Sequence, residues 1–253
     1  MTLSMRRYLI VVLFILLSCL PVYAGSKDVK NYDRAYINSL RGGFPDTVDA
    51  YLKDRGVTLE NFKNMCVKNV GQMSPDELQF VNSLRDKQLH PTSDMLVQKV
   101  IPVSYIEKYL NGELKNVTGF FSICADTKHY LTVSDFYYGL RLDSDGEGLD
   151  YEGTLFPMDA QSIGVIRFKA TNIEKSIIPR LVSDGGTFSD PLPFGGVGFT
   201  TASHGRLTSP EWFLPEIAVL EDGAEIWEVF ADGSEILRGV YDTREGRFVR
   251  VSQ

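Results

Sequence analysis

Three side chains in this sequence combine a reactive type with a suggestive position. Glu216 follows a proline at the mouth of "PEIAVLEDGAEIWEVF", which reads as a strand, a tight turn at Asp222-Gly223 and a second strand. A carboxylate mounted on a rigid hairpin can stabilise developing positive charge, although a strand end is also an ordinary place for a solvated glutamate. Arg41 stands before a Gly-Pro-rich turn in "LRGGFPDTVDAYLKDRG", and a planar guanidinium suits phosphate groups. Ser122 closes the strand-like "TGFFSIC", where its hydroxyl can orient a carboxylate or simply satisfy the backbone.

Other chemistries are poorly served. His90, His129 and His204 have no metal-ligand spacing, and no G-x-S-x-G nucleophile turn is present. "DSDGEGLD" sets Asp143, Asp145, Glu147 and Gly148 at calcium-loop positions, but Thr154 stands where the closing glutamate belongs. A solvated acidic turn is the better reading. Asn116 opens a glycosylation sequon, which has meaning only on a eukaryotic secretory route.

The start of the chain has its own logic. Arg6 and Arg7 precede the apolar "YLIVVLFILLSCL" and a small-residue site ending at Ala24, the pattern of a signal peptide over residues 1–24. Cys19 in "LLSC" offers a lipidation site as the alternative. The expected destination is therefore secreted or periplasmic, with no transmembrane segment in the mature chain. Cleavage removes two arginines and no acid, taking the net charge from −7 to −9. That surface disfavours generic binding to a nucleic-acid backbone, while leaving room for a small anion in a local basic pocket. Cys66 and Cys124 remain; paired, they would close a loop worth about 4 kcal/mol, and two buried thiols are the alternative.

The elements that must position these residues change character along the chain. Pro45 suits a first helical turn, and Val48, Tyr51 and Leu52 share one helical face. Capping boxes at Ser74/Glu77 and Ser104/Glu107 announce further helices, so residues 59–112 read as a helical insertion. From Val117 the text turns strand-like: "VTGFFSIC", "YLTVSDFYYGL", "SIGVIRFKA", then the hairpin, "EILRGVYD" and "RFVRVSQ". Helices first and strands later imply a single α+β domain over residues 25–253.

In this order and context, the arginine, serine and glutamate islands resemble the secreted ADP-ribosyltransferase toxins of the cholera and pertussis type. The resemblance spans about Leu40 to Phe230 and rests on the joint occurrence of the three islands. It implies a split β-sheet core and NAD as substrate, with cleavage of the nicotinamide–ribose bond and transfer to an unknown macromolecular target. It further implies that Glu216 is catalytic, that Arg41 and Ser122 bind the dinucleotide, and that Trp212 or Phe213 is presented to the target. Leu214 stands where these toxins usually carry a second acid. The alternative from another class is an exported binding or inhibitor module, such as a periplasmic immunity protein, that makes no bond.

Overall fold

The computed structural model describes residues 29–68, 70–142, 156–157, 159–182, 185–188, 197–200 and 208–251. The signal peptide, Cys19, the acidic turn and His204 fall outside them. The described chain is α+β. Six helices, α1 (Arg34–Ser39), α2 (Phe44–Asp54), α3 (Leu59–Cys66), α4 (Pro75–Arg85), α5 (Val103–Leu110) and α6 (Val133–Gly139), accompany seven strands. The strands are β1 (Val97–Ile101), β2 (Gly119–Ile123), β3 (Ser162–Phe168), β4 (Trp212–Leu214), β5 (Glu225–Phe230), β6 (Glu235–Asp242) and β7 (Arg247–Arg250). They form one antiparallel sheet in the order β4-β2-β1-β3-β5-β6-β7.

Alternation along the central strands builds two cores. Ile166 and Phe168 of β3 join Val97, Ile101 and Phe121 against Ile106, Tyr109 and Leu110 of α5. Ile163 and Val165 face the other way, against Tyr130 and against Val133 and Phe136 of α6. Helices α2, α3 and α4 make a third cluster in which Phe44 and Phe62 each pack on Phe199, with ring centroids 5.5 and 5.9 Å away. Each such ring contributes about 1.5–3 kcal/mol by leaving water.

Buried charge ties the early chain to the sheet. The Glu225 carboxylate on β5 accepts the backbone N–H groups of Asn31 and Tyr32 at 2.7 Å each. Arg167 on β3, fully buried, donates to the Tyr32 carbonyl at 2.6 Å and forks onto Glu235 at 3.1 and 2.8 Å. Arg167 pairs with Glu235 and Glu225 is held by N–H donors, which makes their burial tolerable, with Arg167 Nε left unbonded among the described residues.

Several expectations need correction. Residues 59–112 do not form a helical insertion, because β1 lies within them in the interior of the sheet. "YLTVSDFYYGL" is not a strand: Thr132 and Asp135 form a capping box that starts α6. The Ser74/Glu77 box forms as expected, but α5 begins ahead of Ser104, and Glu107 pairs with Arg250 and Arg238 instead. The run after Pro215 is not the partner of β5. Leu220 bridges Ala170, the Val219 carbonyl accepts from Thr171, and Ile217 and Val219 are exposed. The two cysteines are free and buried in separate clusters.

Candidate functional site

Arg41 lies in the short connection between α1 and α2, and that connection is fixed from several sides. Gly43 sits so close to β2's exit that a Cβ would fall 2.0 Å from the Ala125 carbonyl oxygen. The Phe44 N–H, at the start of α2, donates to Asp126 at 2.7 Å. Lys128 donates to both oxygens of Asp46, at 2.6 and 2.8 Å, and to the Leu40 carbonyl at 3.2 Å. Asp126 is buried, which pushes its carboxyl up to about 6 although the Phe44 N–H and Lys128 act against the shift.

This anchored loop forms one lip of a cleft of about 630 Å³. Its walls come from α1 and α2, from Leu84 to Leu89 at the end of α4, and from Leu96, Ile123 and Asp126 at the ends of β1 and β2. Apolar side chains of Leu40, Ala50, Leu84, Leu89 and Met95 line much of it, with the rings of Tyr36 and Tyr51. The cations there differ in availability. The Lys87 ammonium lies 4.8 Å from the Tyr51 ring centroid, and Arg55, outside the cleft lining, covers the same ring at 4.9 Å. Arg41 is exposed and makes no hydrogen bond or ion pair among the described residues.

Ser122 belongs to a different place. It is buried on β2, its neighbour Ile123 faces the cleft, and alternation turns the Ser122 side chain to the other side of the strand. There it lines a separate cavity of about 190 Å³. Its Oγ is 3.3 Å from Thr127 Oγ1, which also receives the Gln98 amide at 2.6 Å.

Glu216 lines neither space. It sits on an exposed bend after β4, and its carboxylate accepts two hydrogen bonds from Lys175, at 3.1 and 2.8 Å. That contact holds its carboxyl below the usual range. The Glu216 carbonyl accepts from Thr118, which precedes β2 and lies four residues from Ser122. The sheet thus separates Arg41 and Ser122, and Glu216 lies away from both. Trp212 is buried against β2 and Phe213 half-buried, so neither stands clear for a target.

The carboxylate that does stand near Ser122 is Glu211. The β2–β4 ladder pairs Phe121 with Trp212, and one step further sets Glu211 opposite Ser122. Burial pushes its carboxyl up to about 8 against the pull of Arg141. Glu211 is half-buried with its Oε2 enclosed, and nothing in "SPEWF" marks this, because the environment is made by β2 and by segments far away in sequence. No group of three or more acidic, histidine or cysteine side chains able to hold a metal occurs among the described residues. His90 bonds two backbone carbonyls, and burial pushes His129 down to about 4. Comparison with protein-family models, curated proteins and solved structures finds no match for this chain.

Proposed function

We propose that this protein is a binding module for a small anionic, ring-bearing molecule, with NAD as the member of that class named by the toxin resemblance. One observation carries the reading: Arg41, a guanidinium with no ion pair among the described residues, on the lip of a cleft of about 630 Å³ whose apolar and tyrosine walls also carry Asp54, Asp94 and Asp126. Small-molecule pockets span about 300–1,000 Å³ and combine apolar lining with a few oriented polar groups. Arg41 supplies the fork for a phosphate or carboxylate, and Tyr36 and the leucines supply surface for a ring.

Binding without bond-making is the form of this reading that the site favours. ADP-ribosyl transfer through Glu216 lacks the same support, since that carboxylate is engaged by Lys175 outside the cleft. The finer fold reading, a split core of the ADP-ribosyltransferase type, rests on β2. That strand runs along β4 over residues 119–121 and then shares only two register pairs with β1.

The test is calorimetric titration of the mature protein with NAD and with adenosine monophosphate, beside Arg41→Lys and Arg41→Gln. Saturable binding is expected, weakened about 10- to 100-fold in Arg41→Gln, the equivalent of about 1.5–3 kcal/mol for a charge-assisted contact. Arg41→Lys should fall between, because the charge stays and the fork is lost. Unchanged affinity in both variants, or no saturable binding of either nucleotide, overturns the reading. Nicotinamide release from NAD would restore the transferase.

A further inference from the structure

A polar row crosses the sheet on the face away from α5. Register pairs Ser122 with Gln98, Gln98 with Arg167, and Arg167 with Glu225, and Glu211 continues the row beyond Ser122. The Arg167–Glu225 end is closed by the chain near Tyr32. The Glu211–Ser122–Gln98 end opens on the cavity of about 190 Å³, whose remaining walls include Val100, Leu140 and Phe156.

The hydrogen bonds at this end leave acceptors over. Gln98 is only 2% exposed, and its amide nitrogen is taken by Thr127, so its Oε1 is sealed and without a partner. Thr127 passes its own proton to the Ile123 carbonyl at 3.2 Å. Ser122 must then donate to Thr127, and its lone pairs stay open. Glu211 Oε2 is likewise sealed and has no partner among the described residues. Lys99 also borders this cavity, but alternation turns its side chain to the other face of β1, where its ammonium meets the Phe120 carbonyl at 3.2 Å. Two buried acceptors border one small cavity, each costing about 1–3 kcal/mol when unpaired, and a small rotation of either side chain toward the cavity lets an occupant that brings donors answer it.

We propose that this cavity binds a small primary ammonium compound, its three N–H groups shared among Gln98 Oε1, Ser122 Oγ and the Glu211 carboxylate. An ammonium group offers three donors and no acceptor, the complement of this wall. Its charge answers a carboxylate that burial otherwise holds protonated, with a carboxyl shifted up to about 8. A short aliphatic body fits Val100, Leu140 and Phe156, and the volume corresponds to about six waters.

The experiment is titration of the mature protein with n-butylammonium, with n-butanol, tetramethylammonium and calcium as comparisons. The expected result is saturable binding of n-butylammonium alone, weakened at least tenfold in Glu211→Gln and unchanged in Arg41→Gln. Ser122→Val, which removes one acceptor and keeps the shape, should weaken it too and serves if Glu211→Gln does not fold. Equal binding of tetramethylammonium overturns the proposal, because that cation has no N–H. So does calcium binding lost in Glu211→Gln without any amine binding, or a cavity that takes up only water. An amine affinity indifferent to both cavity variants overturns it as well.

Discussion

Glu216 and Gly43 show how much a single residue's meaning depends on what surrounds it. Glu216 is solvated and held by one exposed lysine, a kind of pair that contributes little. Glu216→Gln should therefore leave both the melting temperature and nucleotide binding unchanged, as a melting curve and a titration of the variant will show. Gly43 carries no reactive group, yet a Cβ there would meet the Ala125 backbone oxygen at 2.0 Å, a contact no side-chain rearrangement relieves. Gly43→Ala should destabilise by about 2–4 kcal/mol, in the range of severe packing defects, and should cost nucleotide affinity by moving Arg41. Chemical denaturation gives the first quantity and titration at a temperature where the variant is folded gives the second.

At the scale of elements, the local signals that held were those with a hydrogen-bonding mechanism. The Ser74/Glu77 box starts α4, and Thr132/Asp135 starts α6 inside a segment whose β-branched and aromatic residues suggest a strand. The capping geometry satisfies backbone donors outright, whereas strand propensity depends on partners that this segment lacks. Thr132→Ala should cost about 1 kcal/mol, measured by denaturant unfolding. The Asp-Gly signal has a similar lesson. Asp222-Gly223 makes a turn but no two-stranded hairpin, while Asp232-Gly233 joins β5 to β6, with Gly233 at φ +85°. Gly233→Ala should destabilise by about 1–2 kcal/mol, because few side chains tolerate that backbone region.

Over the whole molecule, buried carboxylates and histidine shape the dependence of stability on pH. Asp126 and Glu211 have carboxyls raised to about 6 and about 8, so the folded state keeps protons that the unfolded chain has released. Their contribution is complete below their unfolded values and is lost as pH rises through about 6 and about 8 respectively. His129, lowered to about 4, has the opposite sign: its contribution is present above its unfolded value and is lost as pH falls toward 4. Above about 6.5 the histidine's contribution fades and Glu211 dominates, opposed only as pH nears 8 by Lys99, whose ammonium burial lowers to about 8. Unfolding free energy should therefore fall between pH 6.5 and 8, and Glu211→Gln should make that slope shallower. Denaturant curves at the two pH values decide it.

The sequence by itself determined what short-range chemistry controls. The α+β class, the start of α2 within one residue of Pro45, the cap of α4, and strands β2, β3, β5, β6 and β7 all follow from periodicity, caps and turn residues within a few positions. In accord with the expected absence of a transmembrane segment, no described helix is long and apolar enough to cross a membrane. Tertiary structure alone decided which residues meet. Arg41 gains a cleft because Phe44, Phe62 and Phe199 clamp α2 beside the strand ends, and Phe199 is more than a hundred residues from either partner. Ser122 lies opposite Glu211 rather than Glu216 because the β2–β4 register, carried one residue ahead of β4, selects it and alternation fixes its face. Register is a property of two strands together, so neither "TGFFSIC" nor "SPEWFLPE" contains it.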